Sequence, residues 1–204
     1  MRAVIITGGT MRDYAYIRRF IQPDDTLIAV DSGYRHCERL GLRPSVLLGD
    51  FDSLDELPEG IETRHFPREK NYTDTELAVG WARKEGHRDF LFLGATGTRL
   101  DHSLSNILLL AALLDRGERG EIIDEHNRLW ITDSEAEIQG SPGEILSLVP
   151  LTLCTGVTTH NLTYPLSEAT LELGHGLGVS NVILVSPAKV RLGAGKLLVM
   201  LCRD

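Results

Sequence analysis

Two carboxylates stand two residues apart in Leu47-Leu48-Gly49-Asp50-Phe51-Asp52-Ser53, directly after an apolar run and a glycine. If Asp50-Phe51-Asp52 is extended, both acids leave one side of the chain and the phenylalanine the other. Like charges this close raise each other's energy unless a cation lies between them or a proton is shared. The nearest upstream basic residue is Arg43, so a bound metal is the economical resolution. Oxygen-only ligands select a hard ion, and Mg²⁺ is the usual one where phosphates are handled. An acidic, solvated turn after a strand accounts for the pair equally well.

Three more polar clusters carry candidate chemistry. Asp31-Ser32-Gly33 follows a short apolar run, and Lys70-Asn71-Tyr72-Thr73-Asp74 precedes a helical pattern. Gly94-Ala95-Thr96-Gly97-Thr98-Arg99-Leu100-Asp101-His102 bridges an apolar run to a second helical pattern. Its glycines offer backbone N–H groups at a helix start, a cradle for phosphate, with Arg99 as a charged clamp. The spacing is neither that of a P-loop nor Gly-x-Gly-x-x-Gly, and by itself such a turn is as well explained by structure. Asp74 falls in a first helical turn, where the macrodipole favours an acid whatever its function. His102 beside Asp101 suits a proton shuttle or an ordinary helix start. The other histidines lack metal-ligand spacing. No Gly-x-Ser-x-Gly elbow occurs, and Cys37 has no evident base partner.

The elements that must position these clusters follow from periodicity. Apolar runs at 3–7, 27–30, 45–48 and 90–93 each end in glycine or an acid and lead into helical pattern. That is the rhythm of parallel βα units, whose ligands gather at the carboxyl ends of the strands. Thr73-Asp74-Thr75-Glu76 reads as a capping box opening a helix with Leu77, Trp81 and Ala82 inward and Gly86 as its stop. A second helix starts at Asp101 or Ser103, with Leu104, Ile107, Leu108 and Ala111 on its buried side and Gly117 closing it. After about residue 121 the pattern changes to strand candidates at 129–132, 145–149, 169–172, 182–185 and 196–201, punctuated by Pro and Gly. The expected layout is an α/β domain over 1–123 and an all-β domain over 124–204.

With 204 residues, 42% hydrophobic and 25% charged, the composition is that of a soluble globular protein with room for a substantial core. Acids exceed bases 29 to 21, for a net charge of −8, which argues against a nucleic-acid-binding surface. An acidic protein that handles polyphosphate needs divalent cations as intermediaries. Cys37, Cys154 and Cys202 are odd in number and widely spaced, so neither a disulfide framework nor a zinc knuckle is expected. The start turns to Gly8-Gly9 too early for a signal peptide, and the longest apolar run, 107–114, is far short of a membrane span. A cytoplasmic location with no membrane contact is the expectation.

Taken jointly, the clusters resemble those of the thiamine pyrophosphokinase family, which transfers pyrophosphate from ATP to thiamine and releases AMP. Asp31-Ser32-Gly33 resembles the family's Asp-Gly-Gly, and Pro44 through Ser53 its Pro-x-x-x-x-Gly-Asp-Phe-Asp-Ser. Lys70-Asn71-Tyr72-Thr73-Asp74-Thr75-Glu76-Leu77-Ala78 is similar to Lys-Asp-x-Thr-Asp-x-Glu-Leu-Ala, and Gly94 through His102 to Gly-Gly-x-Gly-Gly-Arg-x-Asp-His. In the second half, Thr158-Thr159-His160-Asn161-Leu162-Thr163-Tyr164-Pro165-Leu166 and Gly178-Val179-Ser180-Asn181 resemble the family's Gly-Leu-Lys-Tyr-Pro-Leu and Gly-x-Ser-Asn. Ser32, Asn71, Ala95, Thr98 and His160-Asn161 depart from the pattern; none of these touches Asp50, Asp52 or Asp74.

The resemblance implies a Rossmann-like, three-layer α/β domain with a mostly parallel sheet, then a C-terminal β-sandwich, in a homodimer whose active sites lie between subunits. It implies Mg²⁺ at Asp50, Asp52 and Asp74, with Asp101 a supporting catalytic acid. ATP is expected at Asp31, Lys70, Thr73, Gly94, Gly97, Thr98, Arg99 and His102, and thiamine at Tyr164, Ser180 and Asn181. Two rivals stand beside it. A phosphatase with an Asp nucleophile also suits Asp-x-Asp after a strand, although the acids that such an enzyme needs downstream are not in place. A nucleotide- or thiamine-binding regulator without turnover would gain little from three carboxylates facing a polyphosphate.

Overall fold

The short apolar runs of the first half pair side by side, and the computed structural model describes them within residues 1–52, 56–66 and 71–203. Two units, Met1–Glu125 and His126–Asp204, make up the chain. In the first, β1 (Ala3–Ile6), β2 (Thr26–Val30), β3 (Val46–Gly49), β4 (Glu62–His65), β5 (Asp89–Leu93) and β6 (Arg119–Ile123) lie in the order β6-β5-β1-β2-β3-β4. Every neighbouring pair is parallel. Helices α1 (Tyr14–Arg18), α2 (Gly33–Leu40), α3 (Asp74–Lys84) and α4 (Leu100–Leu114) belong to the connections.

All four residues of β1 are fully buried, as a parallel strand covered on both faces requires. Val4, Ile6, Ala29, Leu47, Leu91, Leu93 and Ile123 form one core layer with Ile17 of α1 and Cys37 of α2. Burial pushes the Cys37 thiol up to about 12, so this cysteine is a small hydrophobe and not a nucleophile. The chain winds from β1 through β2 to β3 on one side, and β5 and β6 lie on the other. The strand order thus reverses at β1, and a crevice is expected at the carboxyl ends of β1 and β5.

Helix α4 turns a different face inward from the one its leucines predict. Ser103, Asn106, Leu110 and Leu113 are buried, whereas Leu100, Leu104 and Leu108 are exposed by 77%, 52% and 48%. The loop before the helix explains this. Asn106 Nδ2 donates to the Ala95 carbonyl at 2.8 Å, Gly97 N–H donates to Ser103 Oγ at 3.1 Å, and Ser103 Oγ donates to the Arg99 carbonyl at 3.0 Å. Buried backbone groups need partners more than leucines need cover.

The second unit contains β7 (Asn127–Thr132), β8 (Glu135–Ile138), β9 (Ile145–Pro150), β10 (Cys154–His160), β11 (Ala169–Leu171), β12 (Asn181–Val182), β13 (Ala188–Arg191) and β14 (Leu197–Cys202). Strands β12-β9-β14-β7 are antiparallel neighbours, and β11-β10-β13-β8 form a separate antiparallel sheet. Leu146, Leu148, Leu197 and Val199 from the first group share one core with Ile138, Cys154, Val157 and Val190 from the second. The architecture is thus mixed α/β, with a large, mostly parallel sheet and a separate antiparallel one. No helix among the described residues is long and apolar enough to cross a membrane.

Candidate active site

The crevice predicted by the strand order is built from two loops that stay paired beyond their strands. Thr7 N–H donates to the Leu93 carbonyl at 2.9 Å, Gly9 N–H to Gly94 at 2.7 Å and Thr10 N–H to Thr96 at 2.8 Å. Thr7 Oγ1 donates to the Gly94 carbonyl at 2.5 Å. The approach is so close that a Cβ at Gly9 would collide with the carbonyl oxygens of Gly94 and Thr96 and lie 2.9 Å from Gly94 C. Around these loops lies a cavity of about 400 Å³, lined by residues 7–10, 30–32, 73–75 and 94–99 together with His102, Ser103 and Asn106.

Three helix starts open on that cavity: Ser32 before α2, Thr73 to Thr75 at the start of α3, and Arg99 before α4. Each start contributes backbone N–H groups and a partial positive charge, and together with Arg99 they favour an anion with several oxygens. Thr73 carries a complete capping box. Its hydroxyl accepts from Glu76 N–H at 3.2 Å, and Glu76 Oε2 accepts from Thr73 N–H at 2.8 Å. Thr73→Ala is expected to cost about 1 kcal/mol of stability, read from urea unfolding; no change would mean that the cap is replaced by water.

Arg99 and Asp101 are both largely exposed and form an ion pair at 2.7 Å. The Asp101 carboxyl is held below the usual range by its hydrogen bonds from Arg99 and from His102 N–H. Arg99 is raised by the same partner. Asp101 thus orients Arg99 and caps the first turn of α4, and it is not among the residues lining the cavity. On the loop's other side, Thr96 Oγ1 donates to Asp124 Oδ2 at 2.7 Å.

Asp50-Phe51-Asp52 departs from the extended form expected of it. Phe51 has φ +63, and Asp52 N–H donates back to Asp50 Oδ1 at 3.2 Å, so the segment turns. Asp31 enforces the turn. Its Oδ1 accepts from Phe51 N–H at 3.3 Å, and its carboxylate occupies the space that a side chain at Gly49 would need, a residue with φ +149. Phe51 packs against the core and meets the His65 ring edge-on, centroids 5.8 Å apart. Among the described residues no three His, Cys, Asp or Glu are gathered closely enough to hold a metal ion.

Of the residues expected at the site, Asp31, Thr73, Asp74, Gly94, Gly97, Thr98, Arg99 and His102 line the one cavity. Asp50, Asp52 and Asp101 are not in its lining. Lys70, like Ser53, lies outside the described residues. Tyr164, Ser180 and Asn181 cluster in the second unit. Asn181 is buried; its Oδ1 accepts from Tyr164 N–H at 3.0 Å and its Nδ2 donates to the Tyr164 carbonyl at 2.7 Å. Its amide therefore fixes the Tyr164 backbone, leaving the tyrosine ring 67% exposed. Ser180 adopts φ +58 and donates its N–H to Ser147 Oγ at 3.0 Å.

Thr7, Gly8, Gly9 and Thr10 also line the cavity without having been expected there, as do Ser103 and Asn106. For the first four the signal was present: Gly-Gly directly after the first strand of a βα unit. Ser103 had none, because its role depends on which face of α4 turns inward.

A family model described as thiamin pyrophosphokinase, catalytic domain, matches residues 17–120, and one described as thiamin pyrophosphokinase, vitamin B1 binding domain, matches 132–197. The chain is 27% identical over 213 residues to the thiamine pyrophosphokinase of Bacillus subtilis (strain 168), with 98% of each covered. The crystal structure of thiamine pyrophosphokinase from Bacillus subtilis is similar with a TM-score of 0.90 at 25% identity, covering 100% of both chains. That of thiamin pyrophosphokinase from Geobacillus thermodenitrificans gives 0.85 at 27% identity, covering 100% of this chain and 98% of that one. Thiamin pyrophosphokinase from Candida albicans shares the fold, with a TM-score of 0.82 at 13% identity over 99% of this chain and 89% of the other.

Proposed function

The chain belongs to the thiamin pyrophosphokinase family, and from that premise we propose how its own residues divide the transfer of a diphosphate group from ATP to thiamine. It is an ATP:thiamine diphosphotransferase. The observation that carries the placement of ATP is the convergence of three helix starts and two paired glycine loops on one cavity. Backbone N–H groups and Arg99 receive the phosphates, with Lys70 as a further cation. Asp31 acts on the loop as much as on the nucleotide, since it fixes the turn that presents Asp50 and Asp52.

The thiamine hydroxyl oxygen attacks the β-phosphorus, the bond from that phosphorus to the oxygen bridging it to the α-phosphate breaks, AMP leaves with that oxygen, and the hydroxyl proton is released to the medium. Such a transfer asks the protein mainly for alignment and charge neutralisation. Asp50, Asp52 and Asp74 offer only carboxylate oxygens, a donor set whose chemistry fits Mg²⁺; since the three are not gathered at one point among the described residues, they would hold it together with phosphate oxygens. Bound there, the ion would offset charge on the phosphates. Asp101 supports the reaction by holding Arg99.

We read the first unit as a Rossmann-like three-layer domain that takes ATP, and the second as a β-sandwich that takes thiamine, in a cytoplasmic homodimer with active sites between subunits. The family model for vitamin B1 binding over 132–197 supports the second assignment. Tyr164 offers its exposed ring to the cationic heterocycle, a contact worth roughly 0.5–2 kcal/mol. Tyr164→Ala is therefore expected to raise KM for thiamine several-fold and leave ATP affinity intact; equal loss of both would make the tyrosine a packing residue. The decisive assay incubates the protein with ATP, Mg²⁺ and thiamine. AMP and thiamine diphosphate appearing in equal amounts support the reading, and ADP or free phosphate in place of AMP overturns it.

A further inference from the structure

Behind the paired loops stands a side chain that the mechanism above does not use. His36, on α2, is half-buried, and its Nε2 lies 2.9 Å from the Gly9 carbonyl. A carbonyl only accepts, so Nε2 carries the proton. Nδ1 lies 2.8 Å from Tyr14 OH, and Arg39 donates to that same phenol oxygen at 3.1 Å. With its oxygen receiving Arg39, the phenol directs its own hydrogen at Nδ1, which fixes the neutral tautomer. Burial, the largest influence, and the nearby Arg39 hold the imidazole below its ordinary range, against the Gly9 carbonyl and Glu125, which favour the charged form. The ring also fills the space beside Gly94, whose missing Cβ would stand 3.5 Å from His36 Cδ2.

The Gly9 peptide is thus held from both ends. Its N–H is bound to the Gly94 carbonyl across the crevice, and its carbonyl is bound to His36 from behind. We propose that His36, oriented by Tyr14 and Arg39, is a positioning residue for the nucleotide, holding the Gly8-Gly9-Thr10 loop against residues 94–98 so that the phosphate-binding wall is preformed. The proposal rests on the placement of ATP in this cavity. Preorganised walls bind more tightly because no ordering is left to be done on binding. His36 touches no substrate; it acts through Gly9.

Amide hydrogen exchange without ligand, and calorimetric ATP binding in Mg²⁺ buffer, test it in the full chain. In His36→Ala the Gly9 and Thr10 amides are expected to exchange at least about tenfold faster, with Val199 in the second unit unchanged. ATP affinity is expected to fall about five- to tenfold, the size of one net hydrogen bond, with KM for thiamine within about twofold of wild type. His36→Gln, which can still donate to Gly9, should recover most of both losses, and Tyr14→Phe should show a smaller loss of the same kind. Unchanged exchange in His36→Ala overturns the proposal; if that variant does not fold, unchanged exchange and ATP affinity in Tyr14→Phe do so. Faster exchange with unchanged ATP affinity also overturns it, and Arg99→Ala then separates the causes. Loss of ATP binding in Arg99→Ala leaves the cavity as the nucleotide site, whereas no loss there removes ATP from the cavity altogether.

Discussion

Asp52→Asn is expected to lower kcat at least about a hundredfold, the scale of removing one electrostatic contact to a reacting phosphate, while the melting temperature stays within about 2 °C of wild type. The substitution keeps shape and removes charge. Asp52 is exposed, and its backbone N–H donates to Asp50 Oδ1, a bond that asparagine retains. An exposed carboxylate contributes little to folding, whereas a polyphosphate and its cation have much at stake in its charge. Asp31→Asn is the instructive contrast. Its carboxylate oxygen receives the Phe51 N–H and packs on Gly49, so an amide turned the wrong way would loosen the turn and lower activity and melting temperature together. Should Asp52→Asn unfold the protein, or turn over normally, the acid belongs to the fold and not to the reaction.

The strained positions sharpen that division. Asp31, Phe51 and Ser180 all have positive φ without being glycine, a conformation that side chains adopt at a cost of order 1 kcal/mol or more. Phe51 belongs to the turn that presents the acids and Asp31 braces it from the end of β2, and Ser180 adjoins the asparagine that fixes Tyr164. Such strain persists where the surroundings over-determine it: Phe51 is pinned by the core on one side and by Asp31 on the other.

The buried parallel strands were legible because each had to be a continuous apolar run, and β1, β2, β3 and β5 all meet an expected run within a residue or two. Helix α3 was legible from its capping box, which forms as written. What escaped had no apolar signal. Strand β4 is Glu62-Thr63-Arg64-His65, exposed throughout at a sheet edge where charge discourages further pairing. Strand β13 alternates Ala188 and Val190 inward with Lys189 and Arg191 outward, too short to stand out. The strand expected at 182–185 is a strand only at Asn181–Val182, followed by a single bridge from Ile183 to Leu162, and Leu184 and Val185 are exposed. In the site, residue types pointed to carboxylates and glycines near phosphate. They did not reveal that Asp31 and His36 act on loops, since that depends on contacts between segments far apart in sequence.

Gly9→Ala is expected to reduce ATP affinity by more than about tenfold and to cost at least about 2 kcal/mol of stability, as overpacking between fixed backbones does. The new methyl would sit against the carbonyl oxygens of Gly94 and Thr96, neither of which can swing away as a side chain can. Relief requires separating the loops, which breaks the Gly9–Gly94 and Thr10–Thr96 hydrogen bonds at 2.7 and 2.8 Å. The same substitution at Gly97 provides the control. A Cβ there would lie 3.1 Å from Thr10 N and 3.2 Å from Thr10 Oγ1, a tight fit that small shifts and a rotating hydroxyl absorb. Gly97→Ala should therefore cost under about 1 kcal/mol and weaken ATP no more than about threefold. Both variants add one methyl to the same wall, so composition and helix propensity cannot distinguish them; only the closeness of the backbones can. Equal behaviour of the two would mean that the loops are not locked together in solution, and with that the preformed phosphate wall would be lost.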